Sequence, residues 1–563
     1  MGIILSIFAL LGGVGVFMTG MKFMSEGLEH GAGKGIQRLL GKISNNRFAG
    51  AGIGAAVTGI IQSSSATTVM VIGFVNAGIM TLLQATPIIV GVNVGTTVTG
   101  LISALSAFKV TSYFAAFAFA GIFIVMFSKK EKVLMAGKIM SGIGLIFIGL
   151  ELMGMAFKGD SALNAVMTNL FTSISFPLLL VLLGMIFTAI IQSSSAFIGI
   201  ILAMIGAEVL PLESALFIIL GANIGTCITA ILAAIGASVN AKRTAVVHLL
   251  FNITGTLVFV IFLMIFTDPI VVFLQKIIPT AQFQVAAFHT FFNVITALLV
   301  LPFVKQLAHL AEIIIPDKQT VGEEEDFKLV YVDERLLLTP PAAVFQLKKE
   351  VKNMSDLAKE NLVKSIGCLL KLNTFAKDKI FQDEERINFI NKGIAAFLIK
   401  LSSVSTSKSE EVFIGSLHHV ISNIERIGDY AQNFVEETEE IIEKNISFSE
   451  AALREIKIMY EKIIEMYDAA IDVFMTEDVS KLGFVAAIED EVDDMKKNFG
   501  TNHIKRLNDR NCKVDTGAYF YAVISGLERV ADHLTNIAFS IKSPSGSQRE
   551  AMAIIAKEQK ARE

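Results

Sequence analysis

Two long apolar stretches of the chain, Phe48–Met80 and Phe176–Leu210, are each interrupted near the centre by one polar quartet. The quartets are Gln62-Ser63-Ser64-Ser65 and Gln192-Ser193-Ser194-Ser195, 130 residues apart. A second motif recurs at the same spacing, Gly91-Val92-Asn93-Val94-Gly95-Thr96-Thr97 and Gly221-Ala222-Asn223-Ile224-Gly225-Thr226-Cys227. Gly13-x-Gly15 matches Gly142-x-Gly144 at 129. Polar motifs held at one spacing inside plain hydrophobic sequence identify an internal duplication. Phe48–Met80 has 33 residues. That is short of the roughly 40 that two spans need and too polar at its centre for one. Each stretch is therefore predicted as a re-entrant hairpin, two half-length helices meeting at a polar tip. Residues 83–105, and their counterpart 212–235, are predicted as spans broken at the Gly/Asn/Thr motif.

Charge divides the chain in two. Residues 1–310 hold 15 Lys+Arg and 8 Asp+Glu, a net +7, and the other 253 hold 33 and 44, a net −11. This excludes a single soluble enzyme, a disordered chain and a purely membrane-embedded one. It leaves a polytopic membrane domain followed by an acidic soluble domain, whose acidity argues against nucleic acid as a partner. Three scattered cysteines provide neither a disulfide framework nor a zinc spacing. The apolar N-terminus has no basic leader and reads as the start of a first span.

Spans are expected at 3–23, 83–105, 111–127, 139–157, 212–235, 244–266 and 283–304. With hairpins that return to their own side, each repeat has an odd number of crossings, so the second copy is inverted. Placing Lys34, Arg38, Lys42 and Arg47 inside then puts Lys129, Lys130, Lys132, Lys138, Lys242, Arg243 and Lys305 inside as well. The soluble half follows them to the cytoplasm, in a multi-pass protein of the cell (inner or plasma) membrane whose other partner is the lipid bilayer.

The polar motifs suit ion chemistry. Helix N-termini at a hairpin tip offer N–H groups to anions, and freed carbonyls hold small cations. Ser63, Ser64, Ser65, Ser193, Ser194 and Ser195 can cap the returning helix or donate to an anion. Gln62 and Gln192 add amides, and Asn93, Thr96, Thr97, Asn223 and Thr226 add neutral oxygens. With no carboxylate in the motifs, Na+ is favoured over protons as the coupling ion. The rival reading is that these small polar residues only pack crossing helices. Two copies of two motifs in register weigh against it. Lys22 and Glu151, repeat-equivalent and near helix ends, read as snorkelling or structural groups. His248-x-x-Phe251-Asn252 and His289-x-x-Phe292-Asn293, 41 residues apart, are expected to bridge the last two helices to each other.

QSSSAT, QSSSAF, GVNVGTTVT and GANIGTCIT together resemble the signature of the bacterial sodium–phosphate cotransporter family, similar to the animal type II cotransporters. The resemblance covers about residues 1–310. It implies Na+-coupled uptake of inorganic phosphate, with Gln62, Ser63, Ser64, Ser65, Asn93, Thr96, Gln192, Ser193, Ser194, Ser195, Asn223 and Thr226 as binding elements. Cys227 opposite Thr97 departs from the symmetry. Alternatives are a transporter-derived sensor without net flux and a carrier of another tetrahedral oxyanion. No H-E-x-x-H, G-x-S-x-G or P-loop motif supports an enzyme.

After a charged linker at 311–341, six helical patterns are expected at 342–373, 379–403, 409–443, 448–476, 479–508 and 516–541, with no strand alternation. A polar tail is expected at 542–563. Ile424-Glu425-Arg426-Ile427-Gly428-Asp429 matches Leu527-Glu528-Arg529-Val530-Ala531-Asp532 at a spacing of 103, so this half is duplicated too. Glu425/Asp429 and Glu528/Asp532 share helix faces at i, i+4, with Asp383, Glu384, Glu385, Glu489, Asp490 and Asp493 as candidate partners. By composition alone they form a solvated acidic face. The NIERIGDYAQN and GLERVADHLTN segments resemble the E-x-x-x-D motifs of PhoU, a two-by-three-helix regulator. That resemblance implies a regulatory domain able to hold a divalent or iron-type metal on Glu425, Asp429, Glu528 and Asp532. The predicted fold class is all-α: a membrane domain with repeats at about 1–128 and 139–238 and two further helices at 244–304, plus a cytoplasmic six-helix PhoU-like bundle at 342–541. A homodimer stays open as its assembly.

Overall fold

The computed structural model of the chain describes residues 2–40, 46–108, 110–158, 162–174, 176–317, 327–404, 408–509, 512, 515–543 and 546–560. Lys42 of the basic loop and the acidic run Glu323–Asp326 lie outside them, as do the side chains of Lys34 and Arg38. Every regular element among the described residues is helical. The chain forms two compact units, Met1–Gly322 with Asp333–Ala343, and Glu323–Val332 with Val344–Glu563.

The first unit contains α1 (Gly2–Leu40), α2 (Arg47–Ile61), α3 (Ser64–Asn76), α4 (Leu82–Ala104), α5 (Thr111–Phe127) and α6 (Glu131–Phe157). It continues with α7 (Ala162–Ser173), α8 (Pro177–Ile191), α9 (Ser194–Gly206), α10 (Leu212–Gly225), α11 (Cys227–Ala233), α12 (Val239–Ile277), α13 (Ala281–Val300) and α14 (Val304–Ile314). Among the described residues, six of its helical segments are long and apolar enough to cross a membrane. Thr111–Phe127, 17 residues long, sits at the lower limit for a span. Lys377–Val404 also meets the apolar criterion. It belongs to the other unit, where it buries Asp383 and Glu384 and pairs Lys377 with Glu439, so we read it as a bundle helix.

Both predicted hairpins form. α2 and α8 have 15 residues and α3 and α9 have 13, about 20–23 Å each and short of the ~30 Å hydrocarbon core. The duplication is visible in their packing. Gly13 of α1 lies against Gly149 and Met153 of α6, while Gly20 lies against Gly142 and Ile146. Gly13 and Gly142 are equivalent positions, as are Gly20 and Gly149. Each therefore touches the counterpart of the other, and the two helices run antiparallel. That reciprocity is what a two-fold relation between inverted copies requires.

The predicted breaks do not form as expected. α4 is continuous through Gly91–Thr97. α10 and α11 are separated only by Thr226, whose backbone stays helical at φ −61, ψ −24. The glycines serve close approach instead. A Cβ on Gly91 would stand 1.9 Å from the Ala51 carbonyl oxygen, and one on Gly221 would stand 1.8 Å from that of Val181. Gly91-x-x-x-Gly95 and Gly221-x-x-x-Gly225 are thus small-residue faces that seat the first helix of each hairpin.

The segment Asp333–Leu338 packs within this first unit as a strap. Asp333 accepts from Asn76 Nδ2 at 2.6 Å and pairs with Arg335 at 2.7 Å. Arg335 Nε donates to the Ala233 carbonyl at 2.7 Å, and Leu336 is fully buried, near Gly73. Asn76 ends α3, and Ala233 ends α11.

The second unit takes in α15 (Pro340–Lys371) from Val344, then α16 (Lys377–Val404), α17 (Lys408–Glu443), α18 (Glu450–Thr476), α19 (Leu482–Asn508), α20 (Asp515–Phe539) and α21 (Gln548–Lys560). The six predicted helices are present within a few residues at each end. The expected polar tail contains α21, anchored by buried Ala551. Third helices α17 and α20 pack together: His533 bonds Asn423 at 2.8 Å, and Gly526 admits the Phe434 ring.

Candidate functional site

The two tips are built alike because the same residues meet the same backbone demands. Gln62 and Gln192 end α2 and α8 in the left-handed region, both at φ 57. Their N–H groups close the last turns on Thr58 and Thr188, each at 2.7 Å. Ser63 and Ser193 are extended N-caps, at φ −142 in both, and their hydroxyls accept from Ala66 N at 3.1 Å and Ala196 N at 3.2 Å. This satisfies part of the N–H set left open at a helix start. Ser25 of α1 donates to the Ile61 carbonyl at 2.5 Å, tying down the end of α2.

The tips face a common cavity of about 230 Å³, lined by Gln62, Ser63, Ser64, Ser65 and Gln192, Ser193, Ser194, Ser195, with Lys22 and Ser25 from α1 on its wall. Beside it lies a pocket of about 10 Å³, the space of one water-sized particle. Its lining includes three repeat-related pairs: Ser64 and Ser194, Asn93 and Asn223, Thr96 and Thr226. Ser64 and Ser194 line both spaces. Thr97 is nearly buried and donates to the Val94 carbonyl at 2.8 Å. It lines neither space, and its counterpart Cys227 turns back to the Asn223 carbonyl.

The two His-Asn pairs do something other than bridge α12 to α13. Asn93 Nδ2 donates to Asn252 Oδ1 at 2.5 Å, and His248 Nε2 lies 3.2 Å from Asn93 Oδ1. On the other side Asn223 Nδ2 donates to Asn293 Oδ1 at 2.8 Å, and His289 Nε2 lies 3.3 Å from Asn223 Oδ1. With each Asn93/Asn223 amide nitrogen already donating, the ring Nε2 is the donor to its carbonyl oxygen. The sequence pattern gave the pairs; their partners lie 66 to 159 residues away and had no local signal.

The repeats differ at the first residue of each quartet. Gln62 is buried, accepts from Thr99 Oγ1 at 2.8 Å and donates to the Gly59 carbonyl. Its counterpart Gln192 is exposed. Thr229, the counterpart of Thr99, instead bonds Ser65 Oγ at 3.2 Å. Lys22 and Glu151 also part company. Lys22 faces the cavity, whereas Glu151 lies exposed on α6.

In the second unit Glu384 comes against the Glu425/Asp429 face. Gly428 makes room for it, since a Cβ there would meet Glu384 Oε2 at 2.3 Å. Burial first, then the Asp429 and Glu425 charges, push the Glu384 carboxyl up to about 8. Glu425 and Asp429 are raised as well, mainly by burial. Asp383 is taken by Lys379 and Lys364, and Glu385 is exposed. In the second copy Glu528 pairs with Lys496 at 3.0 Å and Asp532 with Arg529 at 3.3 Å. The first cluster has the charge and burial of a cation site. Among the described residues, however, no three carboxylate, His or Cys groups converge on a point that could hold a metal, so the side chains as placed do not fit one.

Two family profiles agree with this architecture. The Na+/Pi-cotransporter family profile matches residues 16–155 and 160–313, and the PhoU domain profile matches 351–438 and 456–541. The YjbB protein of Escherichia coli (strain K12), whose assigned role of inorganic phosphate export is itself provisional, is 24% identical over 544 residues, 95% of this chain and 97% of its own. The human sodium-dependent phosphate transport protein 2B is 36% identical over 124 residues, 20% of this chain and 18% of its own. The crystal structure of PhoU from Streptococcus pneumoniae aligns with a TM-score of 0.33 at 19% identity, over 35% of this chain and 93% of that one. The chain is a membrane protein of the Na+/Pi-cotransporter family that also carries a PhoU domain.

Proposed function

We propose that the membrane unit is a symporter of Na+ and inorganic phosphate working by alternating access, and that the PhoU domain regulates it from the cytoplasm. The observation that carries this reading is that Ser64 and Ser194 line both the larger cavity and the small pocket. The small pocket collects neutral oxygens from both repeats, which suits a hard monovalent cation. The larger one collects hydroxyls and helix N-termini, which suit an oxyanion. A serine hydroxyl accepts and donates at once. Na+ drawing on a lone pair of Ser64 or Ser194 turns its O–H toward the cavity, so cation occupancy prepares the anion site. Asn93 and Asn223, fixed by the His-Asn pairs, present their carbonyl oxygens without reorganisation.

The inequality of Gln62 and Gln192 supports alternation. In an inverted-repeat carrier one state is asymmetric, and the other exchanges the roles of the repeats. The second state would bury Gln192 on Thr229 and release Gln62 from Thr99. Support for regulation comes from the strap: residues 333–338 hold the end of α3, whose other end is the Ser63 tip, and lead in sequence into the PhoU-like helices. The direction of net flow follows the combined gradients, so export, the role assigned to YjbB, is open to the same machine.

Phosphate flux into proteoliposomes, with and without an inward Na+ gradient, tests the reading. Accumulation that needs the Na+ gradient supports it. Equal flux in K+ medium refutes Na+ coupling, and no flux under any gradient favours a sensor.

A further inference from the structure

Among the described residues, fourteen line the cavity between the tips, and one of them carries a formal charge: Lys22. An oxyanion leaving water for a site of hydroxyls and amides loses hydration that nearby opposite charge can offset. Lys22 stands where that charge is needed. Its side chain is 74% exposed, and its nearest acid, Glu26, lies at 4.0 Å. Glu26 is otherwise engaged. Its Oε2 takes Lys138 of α6 at 2.7 Å, so the short ion pair belongs to Lys138 and the Lys22 ammonium keeps its donors. The repeat equivalent of Lys22 is Glu151, on the other inverted copy and outside the cavity lining. The duplication thus preserved the hydroxyl tips in both halves and left a cation in only one.

We infer that Lys22 is the anion-selecting residue of the inter-tip cavity, its ammonium contacting a phosphate oxygen while Ser hydroxyls and tip N–H groups hold the others. The inference rests on the carrier reading above and deepens it. A cation fixed in the wall admits anions and repels a second Na+ from the larger space, which keeps the alkali ion in the small neutral pocket. A Lys offers a flexible point charge with three donors, which suits a tetrahedral ion that must also leave.

The test uses the full chain in proteoliposomes, with labelled inorganic phosphate. Half-saturating phosphate is measured at saturating Na+, and half-saturating Na+ at saturating phosphate. Lys22→Gln is expected to raise half-saturating phosphate at least tenfold, with the Na+ value and the maximal rate within about threefold of wild type. Lys22→Arg, which keeps the charge, is expected to stay within about threefold throughout. An unchanged phosphate value in Lys22→Gln overturns the assignment, as does an equal loss of maximal rate in both variants, the mark of a structural role. A wild-type chain that moves no phosphate instead refutes the carrier reading itself. A second measurement does not depend on flux. In a Cys512→Ser background, where Cys227 and Cys368 are buried, Lys22→Cys is treated with a cationic methanethiosulfonate. Phosphate at ten times the half-saturating concentration of Lys22→Gln is expected to slow that reaction severalfold and sulfate less; equal rates with and without phosphate at that concentration overturn the inference.

Discussion

The seating of the hairpins on glycine faces gives a sharp contrast within one helix. A Cβ on Gly54 of α2 would lie 2.1 Å from the Ile88 carbonyl oxygen and 2.9 Å from its carbon, whereas one on Gly52 meets nothing within 4 Å. The obstacle at Gly54 is backbone, so no rotamer change relieves it. α2 and α4 must separate by more than 1 Å to restore ordinary contact. Overpacking costs about 1–3 kcal/mol and sometimes more; with backbone on both sides the upper end applies. Gly52→Ala meets no clash and gains up to ~1 kcal/mol of helix propensity. We expect Gly54→Ala to lower the thermal midpoint of the detergent-purified protein by roughly 5 °C or more, followed by circular dichroism, and to cut phosphate flux at least tenfold by displacing the tip. Gly52→Ala should melt at or slightly above the wild-type midpoint and keep wild-type flux. Gly184→Ala, with the Ile218 oxygen at 2.0 Å, should repeat the Gly54 result. A Gly54→Ala protein with wild-type melting and flux would refute the argument that these glycines set tip position.

Three further outcomes are expected. His248→Leu leaves the buried Asn93 carbonyl without its donor, a loss of about 1–3 kcal/mol, and should raise half-saturating Na+ at least fivefold; His248→Gln, which can still donate, should recover most of it, and wild-type Na+ dependence in the Leu variant would contradict the positioning role. Asp333→Ala removes the bonds to Asn76 and Arg335 and should speed amide exchange at Leu336–Thr339 at least tenfold by mass spectrometry; unchanged protection would mean the strap is held otherwise. In the PhoU-like bundle the Glu384 carboxyl, raised from 4.5 to about 8 in the folded state, contributes stability that is full below about pH 4.5 and lost as pH rises through about 8, at about 1.4 kcal/mol per pH unit between. Glu384→Gln should flatten that slope in urea unfolding followed by tyrosine fluorescence, six of the seven tyrosines lying in this half; parallel slopes would exclude Glu384 as its source.

The sequence carried the duplication, both hairpins and the six bundle helices because each has a local signature: a polar quartet in an apolar run, or helical periodicity between turn signals. It misjudged the Gly/Asn/Thr motifs, since glycine in a helix reads as a break, while its use as a contact face depends on α2 and α8, which only the fold brings there. Lys22 reads as a snorkelling or structural group along the chain, and its place in the cavity lining has no local signal, because exposure to a cavity and exposure to the membrane surface give the same pattern. The partners of His248 and His289, and the room Gly428 makes for Glu384, are tertiary facts with no trace along the chain.

The most direct trial of the account removes the two hydroxyls shared by both spaces. Labelled phosphate flux driven by a Na+ gradient should fall to background in Ser64→Ala/Ser194→Ala, with melting temperature and membrane insertion as in wild type. Undiminished Na+-driven flux in that double variant would contradict the claim that these tips hold the substrate and couple it to sodium.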